Sequence, residues 1–156
     1  MLAGVTIIDA DAHLLERPNL VAPHLEGPWL KGTRRAVFPG DAWDRSMEGK
    51  YGFETYDVPT RLMAMDTEGI DVSVLFPTAG LAYGLIADPL WAAGLARGYN
   101  DWLYDRYLRL SPSRIKGMAL IPVQDPFGAA TELRRAVTEL GMVGGIPELF
   151  PDLRLG

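Results

Sequence analysis

Residues 5–16 read V-T-I-I-D-A-D-A-H-L-L-E, and the rest of the chain is organised around them. The β-branched start favours a strand. Side chains two apart in a strand share a face, so Val5, Ile7, Asp9, Asp11 and His13 are expected to point one way. Two carboxylates and an imidazole at the end of such a strand supply the oxygen and nitrogen donors that zinc, manganese or iron accept. The residues alone leave two readings open. One is half a metal site; the other is the polar start of a loop whose side chains bond nearby backbone.

The chain has 156 residues, enough for one domain with a sizeable core. With 48% hydrophobic and 22% charged residues, it has a globular composition. A net charge of −5, with no Lys/Arg run longer than Arg34-Arg35 or Arg134-Arg135, argues against nucleic acid or an anionic membrane as partner. There is no cysteine, which excludes disulfides and thiolate ligands and fits a cytoplasmic protein. No signal-peptide pattern opens the sequence, and no apolar run approaches the roughly 18 residues of a membrane span.

Beyond His13 the periodicity dissolves. Residues 14–57 are punctuated by Pro18, Pro23, Gly27-Pro28, Gly32, Pro39-Gly40 and Gly49. This long insertion leaves the strand end that carries Asp11 and His13, so it is read either as a lid over them or as a surface insertion. His24 within it is expected to be exposed or hydrogen-bonded rather than a ligand. Asp57-Val58-Pro59 then predicts a helix entry, with Leu62, Met63, Ala64 and Met65 inward and Gly69 as the stop. Residues 70–76 (I-D-V-S-V-L-F) predict a second strand, followed by a loop to Ala87. Asp88-Pro89 opens the longest helix, to about Leu110, with a buried stripe of Trp91, Leu95, Tyr99, Trp102 and Leu103. Residues 115–123 (I-K-G-M-A-L-I-P-V) predict a third strand covered on both faces. A helix over 127–140 is expected to turn Ala130, Leu133, Val137 and Leu140 inward, with Glu132, Arg134, Arg135 and Glu139 outside. Residues 142–146 predict a short fourth strand.

Strands alternating with helices give an α/β fold with a parallel sheet, whose ligands bind at the carboxyl ends of the strands. Asp11 and His13 lie at such an end. Neither a phosphate-cradling Gly loop nor a nucleophilic triad is present, which sets a nucleotide-binding module well behind.

The opening I-I-D-A-D-A-H-L-L-E is joined by R-L-M-A-M-D-T-E-G-I-D-V-S-V-L-F-P-T, Y-N-D-W-L, R-I-K-G-M-A-L-I-P-V-Q-D-P and E-L-R-R-A-V-T-E-L-G-M-V-G-G. In this order they resemble the N-terminal half of a metal-dependent amidohydrolase-superfamily barrel. The branch is that of aminocarboxymuconate-semialdehyde decarboxylase and the γ-resorcylate-type decarboxylases, and the likeness runs to about residue 145. The resemblance implies βα units forming the first half of a (β/α)8, TIM-like barrel around one divalent metal, zinc first and manganese second. Asp11 and His13 match the acidic-x-His pair that ligates it, and Asp9 matches an earlier acidic position that supports the pair. The family's other ligands and its acid/base residues, a histidine and an aspartate among them, come from later strands.

A whole barrel takes about 250 residues, so 1–156 is expected to be a single, incomplete barrel domain, the first half of a truncated or split reading frame. Completion by a partner chain, by a homo-oligomer, or by a further ligand from Asp125, Glu148 or Asp152 is the alternative. The expected substrate is a small carboxylic acid, hydrolysed or decarboxylated, with Thr78 and Gln124 at strand ends as substrate contacts. A non-catalytic half-barrel or assembly module is the competing function.

Overall fold

The computed structural model describes residues 4–27 and 57–147. Most of the expected lid, with Trp29, Phe38, Trp43 and Tyr51, lies outside them, as do Glu148 and Asp152. Strand β1 spans Ile8–Leu14 and is followed by a helical turn α1, Pro18–Val21, and a 3-10 turn, Ala22–His24. Then come α2 (Val58–Glu68), β2 (Val72–Pro77), a 3-10 helix (Ala79–Leu85), α3 (Pro89–Arg106), a 3-10 turn (Leu108–Leu110), β3 (Ile115–Leu120), α4 (Pro126–Thr138) and β4 (Gly144–Ile146). The four strands form one parallel sheet in the order β1-β2-β3-β4. This is the βα succession of the first half of a (β/α)8 barrel. Among the described residues no helix is long and apolar enough to cross a membrane.

Several helix ends follow the expected chemistry. Asp57 caps α2 by accepting the Thr60 N–H at 3.0 Å, and Gly69 ends it at φ 74°, which glycine adopts without a Cβ clash. Asp88 caps α3 through the N–H groups of Leu90 and Trp91 at 3.1 and 3.2 Å. The α3 stripe is buried as the spacing requires, and Trp102 meets Tyr99 at a tilt of 50° and Tyr107 edge-on at 78°, with both ring centroids 5.8 Å away. This stripe packs with Leu14, Leu75, Ile115, Ala119 and Leu120 in one core. Each large aliphatic side chain so buried contributes about 2 kcal/mol.

Other expectations are corrected. The opening of the long insertion is not irregular: residues 14–25 include two helical turns, and Leu14, Leu15, Val21 and Leu25 enter the core. The loop before Asp88 contains the 3-10 helix Ala79–Leu85, and α3 ends at Arg106 because Tyr107 leaves helical dihedrals (φ −132°, ψ −61°). In α2 only Val58 and Met65 are buried, while Met63 is 63% exposed. The inward side of α4 is Ala129, Glu132, Ala136 and then Leu140, with Ala130, Leu133 and Val137 exposed.

Glu132 can be buried because it is paired. Asn100, fully buried on α3, donates to Glu132 Oε1 at 2.7 Å and brackets the Leu120 backbone, bonding its carbonyl at 3.1 Å and its N–H at 2.9 Å. Arg135 donates to both Glu132 oxygens and to Asp101. A buried charge is tolerated when it is paired and hydrogen-bonded in this way.

The sheet has a covered and a less covered face. Ser73, Leu75 and Pro77 of β2 and Ile115, Gly117 and Ala119 of β3 are buried, while Val72, Val74, Phe76, Lys116 and Met118 between them are half-buried. The expectation of a third strand covered on both faces therefore holds only at its carboxyl end, where Ala119, Leu120 and Ile121 are buried in succession.

Candidate metal centre

The site begins with an irregularity in β1. Ile8 pairs with Val72 and Asp9 with Ser73, but Ala12 then pairs with Leu75 and His13 with Phe76, so β1 carries one extra residue between Asp9 and Ala12. Such a bulge breaks the alternation. Asp9, opposite the buried Ser73, is in phase with the helix-facing residues, whereas His13, opposite Phe76, is on the other face. The regular strand from Val5 with one shared face is thus corrected: Val5 and Ile7 precede the strand and are exposed. Asp9 caps the bulge, its Oδ1 accepting the Asp11 N–H at 3.1 Å.

Asp11, within the bulge, and His13, just beyond it, are brought together. His13 Nε2 lies 3.6 Å from Asp11 Oδ1, with the imidazole about one-fifth exposed and the carboxylate open to solvent. The other ring nitrogen, Nδ1, is 3.2 Å from the Thr78 hydroxyl, and the ring leans on Phe76 at a centroid distance of 6.1 Å. Arg61 of α2 donates to the His13 carbonyl at 3.0 Å. The imidazole is therefore fixed from its backbone, its face and one nitrogen, leaving the other beside a carboxylate. A metal-ligating histidine shows this arrangement, with its second nitrogen hydrogen-bonded behind it.

Behind Thr78 stands Glu16. Its carboxyl group, 2% exposed, accepts the Thr78 N–H at 3.1 Å through each oxygen and the Ala79 N–H at 2.9 Å. Burial pushes its pKa up to about 8, against the downward pull of backbone N–H bonds from its own residue, Ala79, Thr78 and Gly80. Gly80 is required by the close approach: a Cβ there would sit 2.8 Å from Pro77 Cβ and 3.3 Å from Glu16 Oε1. Reasoning from sequence missed Glu16 and Arg61. The available signal was the run Leu14-Leu15-Glu16, where a carboxylate directly extends a pair of core residues.

The other candidates fall as follows. Thr78 is buried with its hydroxyl on His13. Gln124 donates to the Ile86 carbonyl at 3.0 Å, and its Oε1 is buried with no hydrogen-bond partner among the described residues. His24 is apart from the centre, 3.7 Å from Asp105 Oδ2. No group of three or more metal-ligating side chains converges among the described residues, so Asp125 is not drawn to the pair as a further ligand. Asp125 instead starts α4, where its side chain makes no capping bond and its carbonyl accepts the Ala129 N–H at 2.7 Å.

An amidohydrolase family model matches residues 8–155. The γ-resorcylate decarboxylase of Rhodococcus jostii is 39% identical over 127 residues, covering 81% of this chain and 37% of that protein. The 2-amino-3-carboxymuconate-6-semialdehyde decarboxylase of Dictyostelium discoideum is 27% identical over 143 residues, covering 88% and 38%. Among solved structures, the dihydroxybenzoic acid decarboxylase of Polaromonas, with bound manganese and the inhibitor 2-nitroresorcinol, superposes with a TM-score of 0.62 at 30% identity, covering 90% and 37%. A βα half-barrel with an acidic-x-His corner at the end of its first strand defines the class, and the chain belongs to the amidohydrolase family. It spans somewhat over a third of the length of these relatives.

Proposed function

We propose that this chain supplies the first-strand metal corner of a divalent-metal-dependent decarboxylase acting on small aromatic carboxylic acids. The observation that carries this reading is the 3.6 Å approach of His13 Nε2 to Asp11 Oδ1 at the carboxyl end of β1. Two donors each about 2.1 Å from one ion lie about 3–3.5 Å apart, so the pair fits a shared metal with little movement. An imidazole–carboxylate set binds zinc more tightly than manganese, and we favour zinc for that reason, although the Polaromonas relative carries manganese. A bound divalent ion supplies Lewis acidity toward carboxylate and phenol oxygens. The protein's own part is orientation: Asp11 and His13 face the substrate side, Asp9 holds the bulge that presents them, and Thr78 fixes the imidazole from behind. Gln124 Oε1, at the exit of β3, is the polar atom we assign to the substrate, while Thr78 acts through His13. Decarboxylation is favoured over hydrolysis because the relatives named above are decarboxylases.

That only two ligands converge among the described residues favours a second reading, a non-catalytic half-barrel that awaits further ligands. Elemental analysis of protein purified without chelator, with CO2 release from 2,6-dihydroxybenzoate, separates the two. About one zinc or manganese per chain, lost in His13→Ala, together with CO2 release, supports the enzyme. Metal below about a tenth per chain and no release supports the half-barrel alone.

A further inference from the structure

Glu16 and Thr78 are not ligand positions, yet they form a continuous chain of contacts to His13. Glu16 is 2% exposed and Thr78 3%, so neither is held in place by solvent. The Glu16 carboxyl group gathers the N–H groups of Thr78 and Ala79 where β2 gives way to the 3-10 helix Ala79–Leu85. This fixes the Thr78 backbone and thereby delivers its hydroxyl to His13 Nδ1 at 3.2 Å. Gly80 lets the turn close against Glu16, since a Cβ there would collide with Pro77.

We propose that Glu16 and Thr78 act in series as positioning residues, occupying His13 Nδ1 so that Nε2 alone is presented beside Asp11. The inference rests on reading His13 as a metal ligand, but it concerns which nitrogen is available and so can be tested without metal. An imidazole with both nitrogens free could flip and offer either one. With Nδ1 engaged, the ring has one orientation and one ligating atom.

The chain contains only two histidines, which makes the test direct. Nitrogen-15 spectra of the imidazoles in the metal-free protein give separate signals for His13 and His24, and His24, beside Asp105, serves as the internal control. Thr78→Val is expected to move the His13 Nδ1 resonance and leave His24 unchanged, and Thr78→Ser is expected to restore it. Glu16→Gln keeps the hydroxyl but loosens its support, and should disturb the same signal. Zinc titration of the same proteins should show affinity reduced about 10–100-fold in Thr78→Val and recovered in Thr78→Ser. If Glu16→Gln does not fold, the two Thr78 variants decide the matter.

A His13 Nδ1 resonance that ignores loss of the hydroxyl overturns the proposal, and so does unchanged zinc affinity in Thr78→Val. If the unmutated protein takes up no zinc while Nδ1 responds as expected, the metal reading falls and the positioning of the ring stands.

Discussion

Glu16 places an ionisable group where water does not reach it, and this has a consequence in pH. Burial raises its pKa in the folded state to about 8 from an ordinary 4.5. Between those values the folded protein retains a proton that the unfolded chain has released, so stability falls as pH rises from about 5 to 8 and levels off above that. The urea midpoint should therefore decline across this window, and Glu16→Gln should flatten the decline. A midpoint that rises with pH in the unmutated protein would contradict the assignment. Gly80→Ala tests the same corner by steric means: a Cβ 2.8 Å from Pro77 Cβ forces the turn away from Glu16. Overpacking of this kind costs about 1–3 kcal/mol, measurable by thermal denaturation. Little of this was legible beforehand. Asp11 and His13 stand out as chemistry-bearing types at a strand end, but the partners of Glu16 lie more than sixty residues away, and no local pattern points to them.

At the level of elements, the cap-plus-proline entries at Asp57 and Asp88 were readable because a cap is local chemistry, satisfied within three residues. Asp88→Ala should cost about 1 kcal/mol in a denaturation series, since two N–H groups of α3 lose their acceptor. The inward side of α4 was read wrongly for a definite reason. Hydrophobic spacing assigns the interior to Leu133 and Val137, but the helix turns Glu132 inward, where Asn100 and Arg135 meet it. Periodicity counts apolar residues and cannot register a charge neutralised by an arginine one turn along and hydrogen-bonded by an asparagine of another helix. Glu132→Ala should therefore destabilise by about 3–5 kcal/mol, because the Arg135 guanidinium is left in a largely buried position without its main partner. Leu133→Ala, one residue along, should change stability by less than about 1 kcal/mol, given that Leu133 is 39% exposed. Equal losses in the two variants would refute the rotated helix. The bulge in β1 escaped for a similar reason, since strict alternation is the assumption from which a strand's faces are read.

For the molecule as a whole, β1 and β4 are each paired on one side only among the described residues, and Phe127 (89%), Ile8 (57%), Val143 (54%) and Val137 (45%) are exposed. Open parallel edges beside apolar side chains favour association. In sedimentation velocity the chain should show species above 17.1 kDa whose share grows with concentration, and Phe127→Glu with Val143→Lys should reduce it. A monomer at every concentration would rule this out. The same topology bears on the order of events during folding. The Glu16 cradle and the His13–Thr78 contact close loops of 62 to 65 residues, across a parallel strand pair that no hairpin can nucleate. Early helix formation in α2 or α3 does nothing for the imidazole. His13 should reach its native environment only in the last cooperative phase of refolding, together with the docking of β1 on β2, and a nascent chain that has not yet synthesised Thr78 carries Asp11 and His13 without the contact that fixes the imidazole.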